Sequence, residues 1–157
     1  MSQGVAYPAW GHVDELWRPA FRWMVRQLDA RGLGTASGTP PVWAWHSCGA
    51  WNCPPEREDL DMLLGGEAQP HLRLVMVNLE VPDGDCLLSY YGPWCDVIHH
   101  SVTHDGEMPG TRGLWYETGH IPEPWREQGN DRDIQACLSR LERRHILGVD
   151  DLYHPRT

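Results

Sequence analysis

Two tryptophans that stand two positions apart form the most distinctive chemical pattern in this sequence. Trp43 and Trp45 lie in the apolar run VWAW at 42–45, and residues i and i+2 of a strand point to the same face. Two stacked indoles could form one wall of a slot for a planar guest such as nicotinamide or a nucleobase. Ordinary packing beneath a helix would use the same two residues, and both interpretations stay open.

A carboxylate inside an apolar run is the second candidate. Glu80 lies in LRLVMVNLEV at 72–81, and a charged group in a strand needs a partner. Arg73 would supply that partner as an ion pair. The functional alternative is that Glu80 faces the ligand slot beside Trp43 and Trp45.

Histidines and cysteines raise the question of a metal site. Zinc needs three or four nitrogen or sulfur ligands, commonly with a close pair among them. Cys48 and Cys53 are separated by four residues, and HHSVTH places His100 and His104 at i and i+4. Together with His46 these residues form the alternative ligand set for zinc. Their spacing matches no zinc site that we know, so the sequence predicts no metal.

A thiol-dependent enzyme of a small biosynthetic pathway is a further hypothesis. Cys95 would stand near the start of a helix, where the helix dipole can lower the pKa of a thiol, and His99 or His100 could act as its base. The chain holds five cysteines. An odd number without a secretory leader predicts reduced thiols.

Charge limits the classes of partner. The chain carries 22 acidic residues against 13 basic ones, all of them arginine, and a formal charge of −9. Such a surface repels phosphate backbones, so we do not expect non-specific nucleic-acid binding. An acidic adaptor or inhibitor that binds a protein partner through exposed Trp and Arg is the alternative to a small planar ligand. With no apolar run long enough to span a membrane, we expect a cytoplasmic domain.

The elements that must position these residues indicate a single α+β domain over 1–157, with a mixed or antiparallel curved sheet. An amphipathic pattern over 12–31 predicts a long helix with Pro19 in its first turn, preceded by a short turn or 3₁₀ segment that carries Leu16 and Trp17. Trp17 and Trp23 are expected in the core. A second helix starts at Pro93, and single helical turns are expected within 46–71 and 122–128. Strands are predicted at 42–45, 72–81, 86–89, 133–141 and 149–153, with a hairpin or corner over 72–89 and a mobile loop at 103–120.

The order of several short segments resembles the bacterial domain of unknown function 3841 family. The matching segments are WM at 23–24, PVWAW at 41–45, LEVPDGDCLLS at 79–89, Trp94, and DIQACLSRL and GVDDLY within 133–153. They spread over most of the chain in the family's order. Because that family is uncharacterised, the resemblance implies a fold and no activity.

A weaker, fold-level resemblance links the same segments to ADP-ribosyltransferases, which use NAD. It implies that Trp43 and Trp45 clamp the nicotinamide, and that a late Gln135 takes the place of the family's acidic residue. The predicted catalytic residues are therefore Gln135 and Glu80. The predicted ligand-binding residues are Trp43, Trp45, Ser89, Tyr90 and Trp94, and NAD is the candidate cofactor.

Overall fold

The computed structural model describes residues 4–34, 38–48, 75–110, 113–116 and 133–151. In chain order they form β1 (Val5–Ala6), α1 (Arg18–Ala30), β2 (Val42–Ser47), β3 (Val75–Leu79), β4 (Cys86–Tyr90), α2 (Tyr91–Thr103), β5 (Ile134–Leu138), β6 (Leu141–Glu142) and β7 (Ile146–Asp151). Short 3₁₀ turns lie at Trp10–His12, Asp83–Asp85 and Arg143–His145. Every strand pair is antiparallel among these residues. The α+β class is confirmed.

Helix α1 is shorter than its apolar pattern predicts. It begins at Arg18 with Pro19 in its first turn, as expected. It ends where Gly32 takes a φ of +74° and the Leu33 N–H donates to Leu28 O at 2.9 Å, a left-handed stop that favours glycine. Trp17 precedes the helix in a turn and is 43% exposed, so its placement in the core was wrong. An apolar repeat of 3.6 residues predicts burial only where the backbone is helical, and Trp17 lies before the helix.

The central sheet has the order β2–β5–β4. All five residues of β5 are buried, because this strand has a partner on each side and both of its faces are covered. Trp43 and Leu87 lie opposite Cys137, from the two sides. The alternation of apolar and polar residues at 133–139 therefore marks two buried faces.

Within the predicted segment 72–89, the described residues 75–89 form a corner and not a hairpin, since β3 pairs with β7 and β4 pairs with β5. Strand β3 was expected to be covered on both faces, yet Val75 is 47% exposed. The strand ends at Leu79, so the prediction that Glu80 lies inside it was wrong. Glu80 is exposed, and its N–H donates to His145 O at 2.8 Å. Its carboxylate thus needs no buried partner.

The apolar core lies between the central sheet and the two helices. Ala20, Trp23, Met24 and Leu28 of α1 meet Trp94 and Val97 of α2, with Leu114 and Cys137 completing the cluster. Trp23 is buried as the sequence predicts, and Trp94 and Val97 are buried with it. Within the described residues, neither helix is long and apolar enough to cross a membrane.

Several predictions lie wholly or partly outside the described residues. Of the segment 46–71, in which a helical turn is expected, the structure describes only 46–48, and 122–128 and Arg73 lie outside the described residues. Of the loop expected at 103–120, residues 113–116 pack against β4, where Leu114 is buried and Trp115 forms a bridge with Ser89.

Candidate functional site

Three of the predicted site residues lie in one cross-strand row. Trp45 of β2 stands opposite Gln135 of β5, which stands opposite Ser89 of β4, and Trp115 continues the row beyond Ser89. Residues directly opposite each other in antiparallel strands share a face of the sheet. The grouping of Trp45, Gln135 and Ser89 on one surface therefore agrees with the sequence-based hypothesis. Tyr90, the alternative to Ser89, points to the opposite face.

The polar members of this row are buried. Ser89 is 0% and Gln135 is 8% exposed, and Ser89 Oγ and Gln135 Oε1 have no hydrogen-bond partner among the described residues. Trp43 Nε1 is also buried and has no hydrogen-bond partner among the described residues. A buried polar group without a partner costs about 1–3 kcal/mol. These side chains carry buried polar atoms without partners, but they do not face an open cleft.

The two strand tryptophans do not form a common wall. The Trp43 ring stacks on Trp94 with centroids 4.7 Å apart, and Phe21 meets it edge-on at 5.8 Å. Trp45 instead meets Tyr91 edge-on at 4.9 Å. Trp43 and Trp94 thus belong to the core packing, and each half-buried indole of the pair has its own aromatic neighbour.

The structure places an open cleft elsewhere, around the edge of β4. Its volume is about 540 Å³, within the range of roughly 300–1,000 Å³ that small-molecule sites occupy. Aromatic, aliphatic and charged side chains share its walls, namely Arg31, His46, Asp83, Cys86, Leu87, Leu88, Trp115 and Tyr116. None of the strand residues predicted to bind ligand, Trp43, Trp45, Ser89 and Tyr90, lines it.

Arg31 is positioned by the end of helix α1. Its guanidinium nitrogen Nη1 donates to the backbone and side-chain oxygens of Gln27 at 3.0 and 3.1 Å. Its Cζ lies 4.4 Å from the ring centroid of Trp115, a cation–π contact. The Trp115 indole also lies parallel to Trp23, with centroids 5.8 Å apart and planes 6° apart. Arg31 and Trp115 therefore pack together on one wall of the cleft.

His46 and Tyr116 reach the cleft because of two local irregularities. The register of β2 shifts between Trp45 and Ser47, and the extra residue of such a bulge, His46, is turned out of the ladder. Tyr116 is held by its own N–H, which donates to Leu88 O at 3.1 Å. The two rings lie 6.4 Å apart.

The thiols of Cys95 and Cys86 are unsuited to act as nucleophiles at neutral pH. Burial raises the pKa of Cys95, although a hydrogen bond with Tyr91 acts in the opposite direction. The prediction that the helix dipole lowers this pKa was therefore wrong, because desolvation dominates. Burial, with the charges of Asp83 and Asp85 adding to it, also raises the pKa of Cys86 in the cleft. Cys86, Cys95 and Cys137 are free thiols.

The alternative zinc ligands are not brought together. His100 and His104 stack with ring centroids 3.9 Å apart, and Nδ1 of His104 lies 3.1 Å from His100 O. His46 lines the cleft, Cys48 is buried at the end of β2, and Cys53 lies outside the described residues. In the part of the chain that the structure describes, no three His, Cys, Asp or Glu side chains form a metal cluster.

Sequence reasoning missed the roles of Arg31, Trp115 and Tyr116. The available signal was the run LWY at 114–116, an apolar and aromatic triplet inside a polar, glycine-rich stretch. Such a triplet in a loop indicates a segment that docks onto the domain or onto a ligand.

Comparisons with protein-family models, with curated proteins and with solved structures find no match to this chain. The resemblances to the domain of unknown function 3841 family and to ADP-ribosyltransferases therefore stay predictions.

Proposed function

We propose that this domain binds a small planar, nucleotide-like ligand in the cleft beside β4. The observation that carries the proposal is the lining itself: a guanidinium over an indole, with a tyrosine and a histidine ring on the same cleft. Aromatic rings and guanidinium planes are the groups on which nucleobases stack.

The lining holds one cation, Arg31, and one carboxylate, Asp83, and Arg31 is the group that can contact a negatively charged ligand. Arg31 uses one terminal nitrogen for Gln27 and has further N–H groups, because a guanidinium carries five. Leu87 and Leu88 contribute apolar atoms to the lining, as small-molecule sites usually do. An acidic chain binds such a ligand through a local cation and not through its overall charge.

The proposal is one of binding and does not extend to ADP-ribosyl transfer. The predicted catalytic residue Gln135 is buried, and Glu80 lies exposed beyond the end of β3. Neither lines the cleft. NAD enters as one ligand to be tested, because it combines two planar rings with phosphates.

The test is a titration of tryptophan fluorescence with NAD, adenosine and nicotinamide. We expect saturable quenching. Arg31→Gln should raise the dissociation constant about tenfold, which corresponds to about 1.4 kcal/mol and fits the loss of a cation–π and charge contact. Arg22→Gln is the matched control, because Arg22 lies 5.5 Å over Trp10 and outside the cleft. No quenching at millimolar ligand, or equal loss in both variants, contradicts the proposal.

A second candidate, the protein-binding adaptor, is favoured by the β3–β7 ribbon. Leu147 is 67%, Val149 57% and Val75 47% exposed, and Val149 stands opposite Val77. An exposed apolar patch on a monomer commonly marks a protein interface. A photo-crosslinker at position 147 should capture one defined protein, and Val149→Lys should abolish that capture. Capture that survives Val149→Lys argues against this surface.

A further inference from the structure

A second, smaller cavity lies next to the cleft. It measures about 130 Å³, and two turns border both spaces. Arg31 lines the cleft while Gly32 and Gly34 line the cavity, and Asp83 lines the cleft while Asp85 lines the cavity. A ligand anchored in the cleft by its ring could therefore extend past these turns into the cavity.

Two arginines and two carboxylates line this cavity. Glu142 accepts from Nε of Arg140 at 2.6 Å and from Nε of Arg144 at 2.8 Å. The Arg140 hydrogen bond, with Arg144 adding to it, lowers the pKa of Glu142. Arg144 also donates to Asp85 Oδ2 at 3.1 Å. These contacts leave both terminal nitrogens of Arg140 and one of Arg144 for a further acceptor.

The deepest group in the cavity is His145, which is only 3% exposed. Its Nδ1 accepts from the Glu142 N–H at 3.4 Å, so the proton of the neutral ring is on Nε2. Nε2 has no hydrogen-bond partner among the described residues. Asp85 Oδ2 lies 3.8 Å away, beyond hydrogen-bond distance. His145 Nε2, which has less than 1 Å² exposed, and Asp85 Oδ2 thus lie close together at the cavity wall without a hydrogen bond between them.

We propose that this cavity is a phosphate subsite for the ligand of the cleft, which makes that ligand a nucleotide. Nε2 of His145 and the free guanidinium nitrogens would donate to phosphate oxygens. The cavity has room for about four water molecules at roughly 30 Å³ each, which is enough for a five-atom oxyanion. The inference rests on the proposed function, because it places the base in the cleft.

Asp85 adds selectivity. A phosphate monoester has a second pKa near 6, so about a tenth of its molecules keep a proton at pH 7. That P–O–H group can donate to Asp85 Oδ2, which then accepts a hydrogen bond in place of facing a bare anion. Sulfate carries no such proton at this pH, so Asp85 would repel it. The subsite should distinguish phosphate from sulfate.

The test is calorimetric titration of the full chain with adenosine, adenosine 5′-monophosphate, inorganic phosphate and sulfate. We expect the monophosphate to bind about 30-fold more tightly than adenosine, and phosphate to bind where sulfate does not. Arg144→Gln should remove the advantage of the monophosphate, whereas Arg143→Gln, a neighbouring exposed arginine that does not line the cavity, should retain it. Arg140→Gln serves as the second variant if Arg144→Gln fails to fold.

The outcomes separate the two proposals. Equal affinity for adenosine and its monophosphate overturns the subsite and leaves the cleft intact. A third outcome is that phosphate binds, that Arg144→Gln abolishes this binding, and that neither adenosine nor the monophosphate binds. This outcome supports an oxyanion site and overturns the proposal that the ligand is a nucleotide. Equal binding of sulfate and phosphate overturns the role of Asp85.

Discussion

The guanidinium of Arg31 lies over the indole of Trp115, with Cζ 4.4 Å from the ring centroid. The contact joins the end of helix α1 to the segment 113–116, which also bridges Ser89 of β4. The open side of the cleft is therefore built by two loops and a strand edge that are distant in the sequence. The wall exists only when all three are in place.

Replacing Trp115 should destabilise the domain. Trp115→Leu removes the parallel contact with Trp23 and the cation–π contact with Arg31, and we expect a loss of about 2–4 kcal/mol in the free energy of unfolding. Trp17→Leu is the matched control, because Trp17 is exposed and should change stability by less than about 0.5 kcal/mol. Urea denaturation measures both. Equal losses would mean that Trp115 has no special role in the packing.

Two buried serines should respond oppositely to alanine. Ser89 Oγ has no partner among the described residues, so Ser89→Ala should leave stability unchanged or raise it by about 1 kcal/mol. Ser47 is equally buried, and its Oγ lies 3.1 Å from His46 Nδ1, so Ser47→Ala should lower stability by about 1 kcal/mol. Thermal unfolding of the two variants gives the comparison. A clear loss in Ser89→Ala would show that Ser89 has a partner.

The sequence predicts the elements of this fold better than their partners. The apolar periods locate α1 and β2 closely because each depends on residues within one or two turns or pleats. They do not show that β3 pairs with β7 while β4 pairs with β5, since pairing over long distances depends on which faces can be buried together. The turn at Asp83–Asp85 lies between β3 and β4 and so separates the two strands that pair with different partners.

The candidate site shows the same division. The i, i+2 rule places Trp43 and Trp45 on one face, and register then joins Trp45 with Gln135 and Ser89. Whether an indole faces solvent depends on what packs above it, and Trp94 lies against Trp43. The cleft depends on a bulge at His46 and on a docked loop, which leave only weak signals in composition.

The thiol of Cys86 should be slow to alkylate. Burial and the nearby carboxylates raise its pKa, which lowers the fraction of reactive thiolate at pH 7.5. Peptide mapping after iodoacetamide treatment should show slower modification than in the unfolded chain, and slower still with saturating nucleotide, because Cys86 lines the cleft. Cys137, fully buried, is the unreactive control. Alkylation of Cys86 that saturating nucleotide does not slow would argue against binding there.

Glu142 should contribute stability only above acidic pH. Its folded-state pKa is below the usual 4.5 because Arg140 and Arg144 donate to it. The contribution is therefore fully present above pH 4.5 and is lost as the pH falls through the folded-state value. Glu142→Gln should lower the melting temperature at pH 7, and the difference from wild type should shrink below pH 4.5.

The control for this pH dependence is Glu15→Gln. Glu15 forms an exposed ion pair with Arg18 at 3.1 Å, and such pairs contribute little. A melting-temperature difference for Glu142→Gln that stays constant from pH 7 to pH 3 would show that the arginine contacts do not act through its charge.

The central position of β5 has a consequence for the chain as it leaves the ribosome. Trp43 in β2 and Leu87 in β4 share Cys137 as their cross-strand partner. The edge that each of these strands presents to β5 therefore stays unpaired until β5 has been synthesised. Pairings so far apart in the sequence slow folding and expose apolar strands meanwhile. Nascent chains that stop short of this strand should be the ones that chaperones and proteases engage.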